Sequence, residues 1–229
     1  MRYGMVINLD KCIGCQTCAL VCLMHNSQPP GTWWNRVFTQ GAQIHETAVG
    51  ENGNFKMEFL PVSCQMCDNP ACQAVCPTGA TYTNEDGVVL VDYNRCIGCR
   101  TCMAACPYGV RQFNWKDPKE MKEELGYAYG YPHDAKEGNR LVYTQDRPAG
   151  VVEKCTFCAQ YVQQGIEPAC VRACPGKARF FGDLDDPESE VGKLIRSKTV
   201  YRLREDYGTN PKVYYISSSR LRNKEEVTE

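Results

Sequence analysis

Sixteen of the 229 residues are cysteine, and they stand in four tight groups separated by long cysteine-free stretches. Group one is Cys12, Cys15, Cys18 and Cys22; group two is Cys64, Cys67, Cys72 and Cys76. Group three is Cys96, Cys99, Cys102 and Cys106; group four is Cys155, Cys158, Cys170 and Cys174. A thiol can pair with another thiol or, as thiolate, ligate a soft metal. Disulfide scaffolds are usually short secreted chains with dispersed cysteines. Cysteines separated by two residues in a tight loop suit shared metal coordination better, and four groups of four leave none over.

The spacing says which metal. Groups one and three read C-x2-C-x2-C-x3-C, the bacterial ferredoxin spacing for [4Fe–4S] clusters. Group two (C-x2-C-x4-C-x3-C) and group four (C-x2-C-x11-C-x3-C) widen the middle gap but keep the ending Pro-Ala-Cys-x3-Cys-Pro. Three cysteines in a tight loop reach three irons of one cube. The fourth lies on the next turn, points away and ligates a different cluster, so such groups work in pairs. Gly14 and Gly98 relieve the loops sterically and allow backbone N–H groups near the sulfurs. The rival is a structural zinc-binding assembly module, since zinc also takes four thiolates, as two C-x2-C pairs. That layout would leave the third and fourth cysteines of each run poorly placed. His25, His45 and His133 lie outside the groups, so mixed ligation is not expected.

Elements must bring the groups together. Ala80–Thr83 reads as a short strand, Asn84–Gly87 as a turn with the Asp86-Gly87 hairpin signal, and Val88–Val91 as the return strand. Groups two and three thus form one ferredoxin-like module, residues 60–112. Gly4–Leu9 enters group one as Gly87–Val91 enters group three. The run Pro175-Gly-Lys-Ala-Arg-Phe-Phe-Gly182 after group four echoes Pro77-Thr-Gly-Ala-Thr-Tyr82. The strand leaving group four can pair with the strand entering group one. The expected fold class is α+β: two bacterial-ferredoxin-like 2[4Fe–4S] modules with long irregular loops. The split module, residues 1–59 plus 113–229, has the other inserted in it. Four ligand sets follow: Cys12, Cys15, Cys18 with Cys174; Cys155, Cys158, Cys170 with Cys22; Cys64, Cys67, Cys72 with Cys106; Cys96, Cys99, Cys102 with Cys76. One departure is that Leu23 follows Cys22, where the other groups have Pro.

The formal net charge of −1 gives no sign of nucleic acid or an acidic membrane surface as partner. Four cubes with thiolates would add roughly −2 each. Lys11, Arg95 and Lys154 directly precede a group, and Arg100, Arg172 and Lys177 lie inside or beside one. They read either as local compensation of cluster charge or as solvated surface cations. No secretory or twin-arginine signal opens the chain and no apolar run reaches transmembrane length, so it is expected to be soluble or attached to a membrane only through a partner. Residues 23–60 and 113–153 read as irregular surface loops carrying Trp33, Trp34, Trp115, Tyr127, Tyr129 and Tyr131, with a short helix at Pro118–Leu125. They read either as a contact surface for a partner or as packing over the cluster core. Glu188–Arg196 reads as another short helix. No nucleophile–base set, P-loop or dinucleotide fingerprint occurs, so catalytic residues are expected to be none.

The group order, with its wide fourth group, resembles the iron–sulfur (beta) subunit of the molybdopterin oxidoreductases of the dimethyl sulfoxide reductase superfamily. These include dimethyl sulfoxide, polysulfide, tetrathionate and arsenate reductases; gut catechol dehydroxylases carry similar subunits. The likeness runs from Gly-Met-Val-Ile-Asn-Leu-Asp-Lys-Cys-Ile-Gly-Cys to Gly182-Asp-Leu-Asp-Asp-Pro-Glu-Ser and Lys212-Val-Tyr-Tyr-Ile216. It implies an electron-transfer subunit without its own active site. Electrons would pass through four clusters between a large Mo/W bis-pterin subunit and a membrane quinol subunit or another redox carrier. The alternative is the iron–sulfur subunit of a hydrogenase or formate dehydrogenase. In the nitrate-reductase branch Trp replaces the third cysteine of group three and gives a three-iron cluster; Cys102 here implies four cubanes. The polar run from Ser217 lacks the C-terminal membrane helix of formate dehydrogenase relatives. The resemblance also implies an extracytoplasmic location through co-export with the catalytic subunit, with the cytoplasm as the other outcome.

Overall fold

The computed structural model describes residues 1–29, 31–40, 48–51, 53–116, 136–137, 140–141 and 147–217. Met5, Val6 and Ile7 are consecutive and all buried, the pattern of a strand covered on both faces. This strand, β1 (Tyr3–Asn8), lies inside a four-stranded sheet. On one side β12 (Arg179–Asp183) runs antiparallel to it, Met5 opposite Phe181 and Ile7 opposite Arg179. On the other side β14 (Val213–Ile216) runs parallel, Met5 opposite Val213 and Ile7 opposite Tyr215. The edge strand β13 (Val200–Arg202) pairs antiparallel with β14, giving the order β12-β1-β14-β13. The strand entering group one therefore lies beside the strand leaving group four.

The two faces of the sheet serve different ends. Val6 and Ile216 pack on Val191 of α6 (Glu190–Ser197). That helix starts at Ser189, whose hydroxyl accepts from Gly192 N at 3.0 Å, a normal N-cap bond. Met5, Ile7, Val213 and Tyr215 face the other way, into a core shared with Cys18, Cys22, Cys64, Cys155 and Cys170. Thiols thus form part of the wall of that core.

Each cysteine group ends on a short helix. These are α1 (Thr17–His25), α2 (Ala71–Ala74), α3 (Thr101–Ala104) and, within group four, α4 (Ala159–Val162) and α5 (Ala169–Arg172). Between groups two and three, β6 (Thr81–Thr83) and β7 (Val89–Val91) form the hairpin expected there, Tyr82 opposite Leu90. A two-stranded ladder of β8 (Gln112–Phe113) and β11 (Val152–Glu153) joins the end of group three to the start of group four. A further pair, β9 (Lys136–Glu137) with β10 (Arg140–Leu141), lies in the second insertion.

One loop expectation needs correction. Residues 23–60 are not irregular: β2 (Asn35–Gln40) pairs with β5 (Glu58–Ser63) over six residues, and β3 (Val49–Glu51) pairs with β4 (Asn54–Lys56). Trp34 is buried by this hairpin, whereas Trp115 is exposed. Tyr127, Tyr129, Tyr131 and the Pro118–Leu125 helix lie outside the described residues. Among the described residues, no helix is long and apolar enough to cross a membrane.

The segment before β14 straps group two to the sheet. Asp68 N and Asn69 N donate to the carbonyls of Asn210 and Thr209, and Lys212 N donates to Gln65 O at 2.9 Å. Lys212 Nζ reaches Gly87 O at 2.5 Å and Asp68 at 3.1 Å. Tyr215 is fully buried and donates to Pro61 O at 3.0 Å.

Candidate cluster sites

The sixteen thiols are all unpaired, and they gather around four cavities of similar size. Cavity I, about 360 Å³, is lined by Cys12, Cys15, Cys18 and Cys174. Cavity II, about 340 Å³, is lined by Cys22, Cys155, Cys158 and Cys170. Cavity III, about 360 Å³, has Cys64, Cys67, Cys72 and Cys106. Cavity IV, about 320 Å³, has Cys76, Cys96, Cys99 and Cys102. Each cavity takes three cysteines from one group and the last cysteine of another.

Local backbone geometry explains the gathering. In groups one and three, left-handed residues flank the second cysteine: Gly14 (φ 69°) and Gln16 (φ 60°) around Cys15, Gly98 (φ 67°) and Arg100 (φ 62°) around Cys99. The loop thereby curls around a centre, with its thiols inward. The glycines also admit close neighbours, though these are protein atoms. A Cβ on Gly98 would stand 2.0 Å from Gly150 O, and one on Gly14 would stand 2.4 Å from the Phe59 ring. After the last cysteine of groups two, three and four the chain makes the same turn, with Gly79 N, Gly109 N and Lys177 N donating to the carbonyls of Cys76, Cys106 and Cys174. Group one departs because α1 continues past Cys22. Gln28 Nε2 then satisfies Cys22 O at 2.8 Å and reaches its Sγ at 3.2 Å. That accounts for Leu23 where the other groups have proline.

The thiols differ sharply in electrostatics. Burial pushes Cys22 well above the ordinary thiol range, and Cys155, Cys158 and Cys170 push it further. Burial and Cys170 take Cys158 to about 12, and burial and Cys64 take Cys67 to about 11. At Cys76 the cost of burial is outweighed by hydrogen bonds from Thr81, Thr78 and Ala80, which bring it down to about 7. Hydrogen bonds from Thr101 lower Cys99; at Cys15, bonds from Thr17 overcome burial. Cys15 and Cys99 are the exposed members of the sixteen.

Neighbouring cavities adjoin in one order. The Cys170 thiol of cavity II is raised by burial, eased by Arg179 and raised again by Cys18 of cavity I. Cys155 of cavity II is raised by burial and by Cys64 of cavity III. Cys102 of cavity IV is raised by burial and also feels Cys72 of cavity III. The series is I, II, III, IV, with exposed Cys15 at one end and exposed Cys99 at the other.

A cluster fits these cavities better than a lone ion. Among the described residues, no three His, Cys, Asp or Glu side chains converge as a single metal ion would require. Zinc holds its sulfurs at about 2.3 Å, which needs such convergence. Here four thiols ring an open space, and N–H groups point at them: Ala178 N to Cys174 Sγ at 3.3 Å and Phe157 N to Cys155 Sγ at 3.4 Å. Buried Arg111 faces cavities III and IV, its guanidinium against the thiols of Cys72 and Cys102. A buried cation facing two cavities suits an anionic occupant.

Of the six cations noted in the sequence, only Lys154 is buried; Lys11, Arg95, Arg100, Arg172 and Lys177 are exposed. Arg100 lies over the Phe113 and Trp115 rings, and Arg172 over Tyr161. Two cations buried against the thiols were passed over, Arg111 and Arg179. Each stands five residues beyond the last cysteine of its group, a repeat visible in the sequence. Asn26 and Gln28 were also missed, because nothing in their spacing marks them as partners of Cys22.

Comparison with known proteins agrees with this chemistry. A 4Fe-4S dicluster domain model matches residues 55–127 and 140–184, and a second 4Fe-4S dicluster model matches residues 11–80. A Halobacterium salinarum protein carrying the name of a dimethyl sulfoxide reductase iron–sulfur subunit is 46% identical, covering 94% of this chain and 79% of its own. A selenate reductase subunit from Mesobacillus selenatarsenatis is 41% identical over 95% of this chain and 72% of its own. The arsenate respiratory reductase iron–sulfur subunit of a Shewanella species is 39% identical over 95% and 97%. The chain belongs to the 4Fe–4S dicluster family, among the iron–sulfur subunits of respiratory reductases.

Proposed function

We propose that the chain holds four [4Fe–4S] clusters, one in each cavity, and relays electrons along them between a catalytic subunit and a second redox partner. The observation that carries this reading is the single series of four thiol-ringed cavities with an exposed thiol at each end. The ligand sets are Cys12, Cys15, Cys18 and Cys174; Cys22, Cys155, Cys158 and Cys170; Cys64, Cys67, Cys72 and Cys106; and Cys76, Cys96, Cys99 and Cys102. Residues 60–112 then form one module inserted in the other, a reading supported by the β1–β12 pairing and the β6–β7 hairpin.

When bound, the clusters supply one-electron chemistry. The chain's own residues hold them in series, bury all four thiols of cavity II, and aim N–H groups and cations at the sulfurs. In keeping with relatives named as iron–sulfur subunits of reductases, the chain is proposed to be non-catalytic. The catalytic partner is proposed to carry molybdopterin, in keeping with relatives named as subunits of selenate, arsenate and polysulfide reductases. A quinol-side partner is supported by a relative named as a menaquinone reductase subunit. Such names favour this reading over a hydrogenase or formate dehydrogenase subunit. We also propose an extracytoplasmic site of action through co-export with the catalytic subunit, with the cytoplasm as the other outcome of cell fractionation.

Metal analysis of the anaerobically purified protein tests the core of the proposal. About sixteen irons per chain are expected from four cubes. Four zincs with negligible iron would overturn it.

A further inference from the structure

Three cations are buried among the thiols, one at each boundary between adjoining cavities. Arg179, 4% exposed, stands between cavities I and II. Its Nη2 donates to Cys18 Sγ at 3.5 Å, and its Nη1 faces Cys170 Sγ at 3.9 Å. Arg111, 3% exposed, lines both cavity III and cavity IV. Its Nη1 donates to Thr81 Oγ1 at 3.2 Å, and its guanidinium faces the thiols of Cys72 in cavity III and Cys102 in cavity IV. Lys154, 1% exposed, stands between cavities II and III. Its Nζ donates to Cys155 O at 2.8 Å and to the carbonyl of Val89, a wall residue of cavity III, and lies 3.9 Å from Met66 Sδ.

Buried cations are ordinarily paired with carboxylates, because an unpaired charge in the interior is costly. Among the described residues none of these three makes an ion pair with Asp or Glu. Arg147, buried nearby, shows the ordinary solution in its ion pair with Glu153 at 3.0 Å. At the boundaries held by Arg179 and Arg111 the available counter-charge is thiol sulfur, whereas Lys154 at the third is held by carbonyls from the walls of both cavities. The placement is also repeated: Arg111 and Arg179 stand at the same offset from Cys106 and Cys174, whereas the matching positions after groups one and two are Ser27 and Thr81. One arginine serves each pair of groups.

We propose that Arg179, Lys154 and Arg111 are potential-setting residues, each raising the reduction potentials of the two clusters it separates and damping the repulsion between them. The inference rests on the four-cluster reading above. Transfer of one electron between adjoining clusters makes and breaks no bond: the donor is oxidised by one, and the acceptor is reduced by one and gains one negative charge. A fixed positive charge between the two favours reduction of either. Because both clusters feel the same cation, it lowers the cost of reduction without trapping the electron on one side.

The test is an EPR-monitored redox titration of the iron-loaded complex carrying Arg179→Gln, Lys154→Gln or Arg111→Gln. Each variant is expected to lower the midpoints of two adjoining clusters at least tenfold in reduction equilibrium, about 59 mV for a one-electron couple. The affected pair should move along the series: I with II, then II with III, then III with IV. The charge-conserving variants Arg179→Lys, Lys154→Arg and Arg111→Lys should stay near the parent. A fall shared equally by all four clusters, or no fall, would overturn the proposal. If a glutamine variant loses its iron, its charge-conserving variant decides: loaded with unshifted midpoints supports a role for charge, and midpoints lowered in all four clusters refutes it. Iron content is measured separately, so absence of clusters in the parent would point to failure of the four-cluster reading instead.

Discussion

At the scale of single residues, the cysteines were legible because ligand spacing is a local property. Three thiols in seven residues can serve only a shared centre, whatever the rest of the chain does. Cys102 carries the sharpest consequence. It is buried in cavity IV opposite Cys76, and as the third cysteine of group three it supplies one thiol to one iron. Cys102→Trp should convert that single cluster to a three-iron form. The check is an oxidised-state EPR signal absent from the parent; an unchanged spectrum would mean that Cys102 is no ligand. Arg111 and Arg179 were harder to read. Arg179 opens β12 and Arg111 directly precedes β8, places where a lone arginine ordinarily faces solvent, and only the pairing of groups turns both inward.

At the scale of elements, the β6–β7 hairpin was readable from Asp86-Gly87, a signal tied to backbone conformation. The β2–β5 hairpin was missed for a different reason. Its strands are joined by some seventeen residues in the sequence, and the intervening Asn52-Gly53 hairpin signal lies far from any cysteine. The partnership of β1 with β14 could not be read at all, because parallel pairing of distant segments leaves no local mark. Group three's loop yields the prediction at this scale. Gly98 is both left-handed and pressed against Gly150 O, whereas Gly109 is left-handed with open space around it. Gly109→Ala should cost only the backbone strain, about 1–2 kcal/mol. Gly98→Ala should cost more and displace the Cys96–Cys99 loop, lowering iron content by one cluster. Equal iron content and equal melting temperatures in the two variants would contradict the assignment.

At the scale of the whole molecule, the strap before β14 is what makes one body of the parts. It binds the loop of group two through Asp68, Asn69 and Gln65, and its Thr209 meets Tyr108 of group three at 2.6 Å. Tyr215 is the keystone: it stacks on Tyr201, donates to Pro61 O and accepts from Gln65. Removing so large a buried ring leaves a cavity and orphans a carbonyl. Tyr215→Ala should lower stability by about 3–5 kcal/mol. Thermal unfolding of the iron-loaded protein would show it as a marked fall in melting temperature, while a surface change such as Tyr207→Ala should leave it nearly unmoved.

The exposure of Cys15 and Cys99, at opposite ends of the series, bears on how the molecule ages. Oxidants reach accessible, thiolate-prone sulfur first, and hydrogen bonds favour the thiolate at these two positions. Corrosion would start at the tips and work inward, leaving cavities II and III until last. In a series arrangement the loss of either tip silences the whole line, so the sturdiness of the middle gives no protection to function. Whatever docks on each tip is then more than a source or sink of electrons. It is a lid, and a chain made in excess of its partners would have a short working life in air.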